Sequence, residues 1–185
     1  MAGKVGKPAR PIKPRPETDD FESGQFDTTP MGDGSGTHRN AYSQQIAQRR
    51  KARRTALQAL YEIDTTSHKP GHVLEARQAT AKLEPVGLAF LRWLISGVVA
   101  HREDMDQLIA RYAPEWPVEQ LAVIDRNILR ISIFELLNPD SDAPSKVVVN
   151  EAVELAKIFG SDSSPRFING VLGTALKEIA ATPPS

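Results

Sequence analysis

The residues best suited to chemistry lie in QRRKARRTALQALYEID, from Gln48 to Asp64. Arg49, Arg50, Lys51, Arg53 and Arg54 crowd into positions 49–54, and Tyr61 follows two turns later. A guanidinium pairs bidentately with phosphate, and a tyrosine ring offers a base a stacking platform. On a helical wheel advancing about 100° per residue from Ala52, Ala56, Ala59 and Ile63 stay within about 40° of the start, with Leu60 beside them. Arg50, Tyr61 and Arg54 fall together near 160–200° on the opposite side, with Leu57 at their border and Arg53 and Lys51 on the flanks. One helix would then carry an apolar stripe and, facing away, a basic stripe with an aromatic in it. That combination suits single-stranded RNA. The plainer reading of the same residues is a solvated basic face, with Tyr61 and Leu57 packed on a neighbouring helix.

Other chemistries find less support. The chain has no cysteine, which excludes disulfides, thiolate metal sites and cysteine nucleophiles. His38, His68, His72 and His101 do not cluster. His68 and His72 share i, i+4 spacing, but Pro70 and Gly71 stand between them, so a helical metal pair is not expected. No metal or cofactor is expected.

The elements that must position the basic stripe can be read from the rest of the chain. Its 185 residues carry no net charge, yet the charge is uneven. Residues 45–64 hold five basic and two acidic side chains, while residues 65–185 hold twelve basic and fifteen acidic. The positive charge is a local feature of one helix, not a property of the whole surface. No apolar run approaches the ~18 residues of a membrane span, and no secretory signal opens the chain. A cytosolic protein is expected.

Residues 1–43 read as a disordered extension. The first 40 contain five Pro and six Gly, with PARPIKPRP (8–16) suited to polyproline II and MGDGSG (31–36) to a linker. From there the pattern is helical. Helix one is expected over 44–64, and a short helix over 71–82. Pro85 opens a third, and a fourth includes Met105, Leu108, Ile109 and Tyr112. APEWP (113–117) breaks the chain, and Pro117 is expected in the first turn of helix five. The run LAVIDRNILRISIFELL (121–137) is apolar on most faces, which makes it the expected central helix. Ser145 and Ser164 are expected to cap helices six and seven, with Gly160 stopping the sixth. Gly170 and Gly173, inside the seventh, cost roughly 1 kcal/mol each relative to Ala, which close helix–helix approach would offset.

RRKARRTALQALY (49–61), IDRNILRISIFEL (124–136), NEAVELAKIFG (150–160) and SPRFINGVLG (164–173), in this order and spacing, resemble the NusB family of bacterial transcription antitermination factors. The resemblance covers about 44–180. It implies an all-α fold of about seven helices in two small bundles, forming a helical RNA-binding domain over 44–182. It implies binding to boxA RNA together with ribosomal protein NusE, within the RNA polymerase antitermination complex. By resemblance, Arg49, Arg50, Arg53, Arg54 and Tyr61 belong to an arginine-rich RNA-contacting helix. Arg166 and Phe167 match a second RNA-contacting patch, and Tyr112 and Asp125 align with positions facing NusE. Some relatives carry an acid where this chain has Ser163, so no role is transferred there. Both monomers and homodimers occur among such proteins.

Three rival classes remain open. A similar helical domain fronts ribosomal RNA cytosine methyltransferases, but no Gly-rich cofactor loop follows a strand here and no catalysis is expected. A DNA-binding helix-turn-helix would carry its charge on a later recognition helix, not the first. A helical interaction scaffold without RNA binding is the third.

Overall fold

The computed structural model describes residues 35–181, with side chains from residue 41 onward. Its regular elements are seven α-helices and two single 3-10 turns, with no strand among the described residues. The strand-prone segments VVV (147–149) and ISIF (131–134) are both helical. Tertiary packing overrides their local preference, as the 3.6-residue apolar period predicts.

The first helix, α1, spans Ser35–Thr65 and so begins well before the expected start near residue 44. The rest of the expected extension lies outside the described residues. Ala52, Ala56 and Ala59 are fully buried along its inner face. Alanines there allow close approach to α3 (Pro85–Ala100), the most extensive neighbour of α1, whose Leu91, Leu94, Ile95 and Val98 share its core. α2 (Pro70–Thr80) packs against both and contributes Val73. Proline stands in the first turn of both α2 and α3, where its missing N–H leaves no helix bond unmade. The Gln48 side chain also accepts the Glu84 N–H at 3.0 Å, fastening the start of α3 to α1.

α4 (Arg102–Tyr112), α5 (Val123–Leu137), α6 (Ser145–Phe159) and α7 (Ser164–Ala181) form the second bundle. α5 joins the two, packing against α1 and α3 on one side and α4, α6 and α7 on the other. Every residue from Asn127 to Leu136 is buried. A fully buried Leu or Ile contributes roughly 2 kcal/mol, whereas an exposed ion pair contributes about 0–1 kcal/mol. The shared core, not the surface charge, therefore holds the bundles together.

Several local expectations differ from the structure. Pro117 precedes a 3-10 turn, Val118–Gln120, and α5 begins only at Val123. Ser145 makes no side-chain cap. At α7 the Ser163 carbonyl accepts the Phe167 N–H at 3.1 Å, while the Ser164 hydroxyl turns back to accept the Ser161 N–H at 2.9 Å. Gly160 ends α6 in an extended conformation; a Cβ there would meet Ser164 and the Ala156 carbonyl, so a tight turn requires it, not a left-handed cap. Gly170 and Gly173 face open space, and no close helix approach offsets them. The close approach occurs instead at Gly97, where a Cβ would overlap the Phe134 ring.

Candidate nucleic-acid interface

The wheel places the α1 side chains in the right order but underestimates the width of the buried arc. Packing of α1 against three helices buries Thr55, Leu57 and Arg53 as well as the alanine stripe. Arg53 is only 5% exposed. Its Nε and Nη2 donate to the two Glu135 oxygens at 2.7 Å each, and the Ser141 hydroxyl adds a third bond to that carboxylate at 3.2 Å. The expectation that Arg53 contacts RNA is therefore corrected: its fork is engaged inside the core. Arg49, four residues earlier, leans the same way. Its Nη1 donates to the Ser141 carbonyl at 2.6 Å, and its guanidinium lies 5.0 Å from the centre of the Phe90 ring. Arg53 lies 5.1 Å from the same ring, so two cations share one aromatic.

Arg50, Arg54 and Tyr61 do share the outward face. All three are exposed, Tyr61 at 44%. Arg54 has no hydrogen bond or ion pair among the described residues. Arg50 donates from Nε and Nη2 to Glu151 on α6, the shortest bond being 2.6 Å. Lys51 reaches the carbonyl of Lys82, also at 2.6 Å. Lys82 adopts a left-handed conformation at φ 47°.

Tyr61 also borders a groove between α1, α2, α5 and α6, lined by Leu57, Gln58, Arg77, Ile124 and Phe159 among others. At its rim Glu62 accepts from His68 Nδ1 and from Arg77, each at 2.8 Å. One turn beyond Tyr61, a charge cluster anchors the end of α1. Asp64 accepts from Arg130 at 2.7 Å, Asn127 at 3.1 Å and Arg126 at 3.3 Å, and pairs with Arg102 at 3.1 Å. Arg130 also grips Asp106 through two 2.7 Å bonds. Burial alone would raise the Asp64 carboxyl pKa, but Arg130 and Arg102, with the bonds from Asn127 and Arg130, hold it below the usual range.

A second groove joins Tyr112, Arg166 and Phe167, three of the residues singled out in the sequence, with Trp116, Ser163 and Gly170. Phe167 is half-buried and meets Trp116 edge-on at 6.2 Å. Arg166 is exposed. Tyr112 is mostly buried, and burial, with Glu178 nearby, raises its phenol pKa despite Arg111. Trp116, 56% exposed, was missed: APEWP reads as a helix breaker, and nothing in the sequence alone says that its tryptophan stays uncovered.

Asp125 lies in the first turn of α5. Its side chain is largely buried, only 9% exposed. Burial pushes its carboxyl pKa up, partly opposed by a hydrogen bond from Ser164, and Oδ1 is buried without a partner.

Among the described residues no cluster of His, Asp or Glu could hold a metal, and no helix is long and apolar enough to cross a membrane.

Residues 50–177, from the arginine-rich first helix to the last, match the NusB family model. The chain belongs to the NusB family. The transcription antitermination protein NusB of Dehalococcoides mccartyi (strain CBDB1) is 48% identical over 134 residues, 72% of this chain and 93% of that protein. The solved structure of T. maritima NusB superposes with a TM-score of 0.64 at 30% identity, covering 74% of this chain and 93% of that one. A crystal structure of antitermination factors NusB and NusE in complex with dsRNA has the same fold, with a TM-score of 0.64 at 24% identity over 72% of this chain and 98% of its counterpart. The family match ends near the last turns of α7 and leaves out the Pro- and Gly-rich front of the chain.

Proposed function

We propose that this chain is a cytoplasmic transcription antitermination factor. With ribosomal protein NusE it binds the boxA element of nascent ribosomal RNA transcripts and helps RNA polymerase resist termination. The observation that carries the RNA-binding half is the outward stripe of Arg50, Arg54 and Tyr61, a basic and aromatic surface on an otherwise mildly acidic body. Arg50 and Arg54 supply phosphate contacts, and Tyr61 stacks on a base. Arg166 and Phe167 extend the RNA surface, while Tyr112 and Asp125 line or adjoin the face that meets NusE. The curated relatives carry the antitermination name, and a structural neighbour holds NusB with NusE and RNA; both support this assignment.

The test is a titration of boxA RNA with and without NusE. The double reversal Arg50→Glu, Arg54→Glu should abolish RNA binding while leaving the helical fold and the NusE contact intact. Tyr61→Ala should weaken RNA binding by a similar factor at every salt concentration, a loss on the order of 1–3 kcal/mol. RNA binding by the double reversal at parental strength would reduce the stripe to a solvated face and leave a protein-binding scaffold.

A further inference from the structure

The outward cations of α1 are not equally available to a ligand. Arg54 has no partner among the described residues. Arg50, one turn earlier on the same stripe, is committed: Nε lies 3.0 Å from both Glu151 oxygens and Nη2 lies 2.6 Å from Oε1. Nε and Nη2 form one of the edges through which a guanidinium grips a phosphate bidentately. Glu151 occupies that edge while the Arg50 side chain remains 53% exposed.

The exposure of the two partners is unequal, and this decides what the pair does. The Glu151 side chain is 9% exposed and rises from the interior of α6. Both of its oxygens lie against the Arg50 guanidinium. Releasing Arg50 would leave a buried carboxylate without its counter-charge, which is strongly unfavourable. Glu154, one turn along α6, adds its field at Arg50 while pairing with Lys157 at 2.6 Å. A phosphate approaching this position meets a neutral pair, gains no net charge to neutralise and releases no counterion.

We propose that Glu151 is a specificity-determining residue of the RNA face, a fixed counter-ion that hides Arg50 from arbitrary phosphates. The inference rests on the RNA-binding reading above. RNA of unrelated sequence gains Arg54 but not Arg50. Only an RNA that also stacks on Tyr61 and fits the neighbouring groove brings enough favourable interaction to draw Arg50 from the carboxylate. Discrimination comes from a repulsive element held in place by the protein as well as from attractive contacts.

The experiment compares three proteins, the parent, Glu151→Gln, and Arg50→Gln with Glu151→Gln, each first checked for a parental thermal melt. Fluorescence anisotropy reads binding to boxA RNA and to an unstructured RNA of unrelated sequence across a salt series. Glu151→Gln should bind the unrelated RNA several-fold more tightly at low salt, with a salt slope steeper by about 0.7, the value for one single-stranded phosphate contact. Its preference for boxA should shrink accordingly. The double variant removes a neutral pair, so it should match the parent on unrelated RNA and lose affinity only for boxA. The double variant also covers the case in which Glu151→Gln alone does not fold. A shallower slope for the double variant on unrelated RNA would show that Arg50 already contacts arbitrary phosphates and would overturn the inference. Unchanged selectivity in a folded Glu151→Gln would overturn it too. In either case parental boxA binding would leave the proposed function standing, whereas a parent that binds no boxA RNA would sink both.

Discussion

Arg53 donates its fork to Glu135 in the core, and Arg50, three positions earlier, holds its fork at the surface. Arg53→Gln should therefore act on stability, not on RNA. Removing one partner of a buried pair costs about 3–5 kcal/mol because the other charge is left uncompensated. Urea unfolding should show a loss of that size, and Arg53→Gln with Glu135→Gln should recover part of it. Asp125 offers the opposite case. Its carboxyl pKa is raised by burial, so the folded protein binds its proton more readily than the unfolded chain. The ionised form thus lowers stability at neutral pH, and the penalty disappears as pH falls through the raised folded value. Asp125→Asn should raise the melting temperature at pH 7, and the difference from the parent should vanish by about pH 4, near the ordinary aspartate value. An equal shift at both pH values would show that packing, not charge, governs the site. The same burial makes Asp125→Lys a destabilising change.

At the level of elements, the seven helices follow from apolar period and from proline and glycine punctuation. Pro70 and Pro85 stand where first-turn prolines belong, and α5 is as enclosed as LAVIDRNILRISIFELL suggests. What a single wheel cannot give is the number of neighbours. It centres the buried stripe of α1 on Ala52, but burial by three helices widens the arc to include Arg53 and Leu57, and only tertiary packing sets that width. Arg50, Arg54 and Tyr61 were legible as a face because they lie farthest from the alanines. The partner of Arg50 was not legible, since Glu151 is 101 residues away and no local rule connects them. Glycine roles were misplaced for the same reason: Gly97 meets Phe134 of another helix, while Gly170 and Gly173 meet nothing. Gly97→Ala accordingly sets a helix-propensity gain of about 1 kcal/mol against an overpacking cost of about 1–3 kcal/mol. The net should be destabilising, lowering the melting temperature by a few degrees, whereas Gly170→Ala should raise it.

Across the whole molecule, the Asp64 cluster ties α1 to α4 and α5, the Arg53 pair ties α1 to α5 nearer its middle, and Arg50 reaches α6. The helix proposed to carry the RNA surface is thus held along its length by the second bundle, which limits the conformational entropy lost on binding. The enclosure of α5 by helices from both bundles has a kinetic corollary. No bundle can open without stripping the helix that serves as the wall of the other, so opening of either half should require global unfolding. Amide protons of Ile128–Leu136 should exchange with solvent last and only at the rate of that global event. Heating should produce one transition common to near- and far-ultraviolet circular dichroism. Two separated transitions, or α5 amides that exchange before those of α3, would mean that the halves open independently of their common helix.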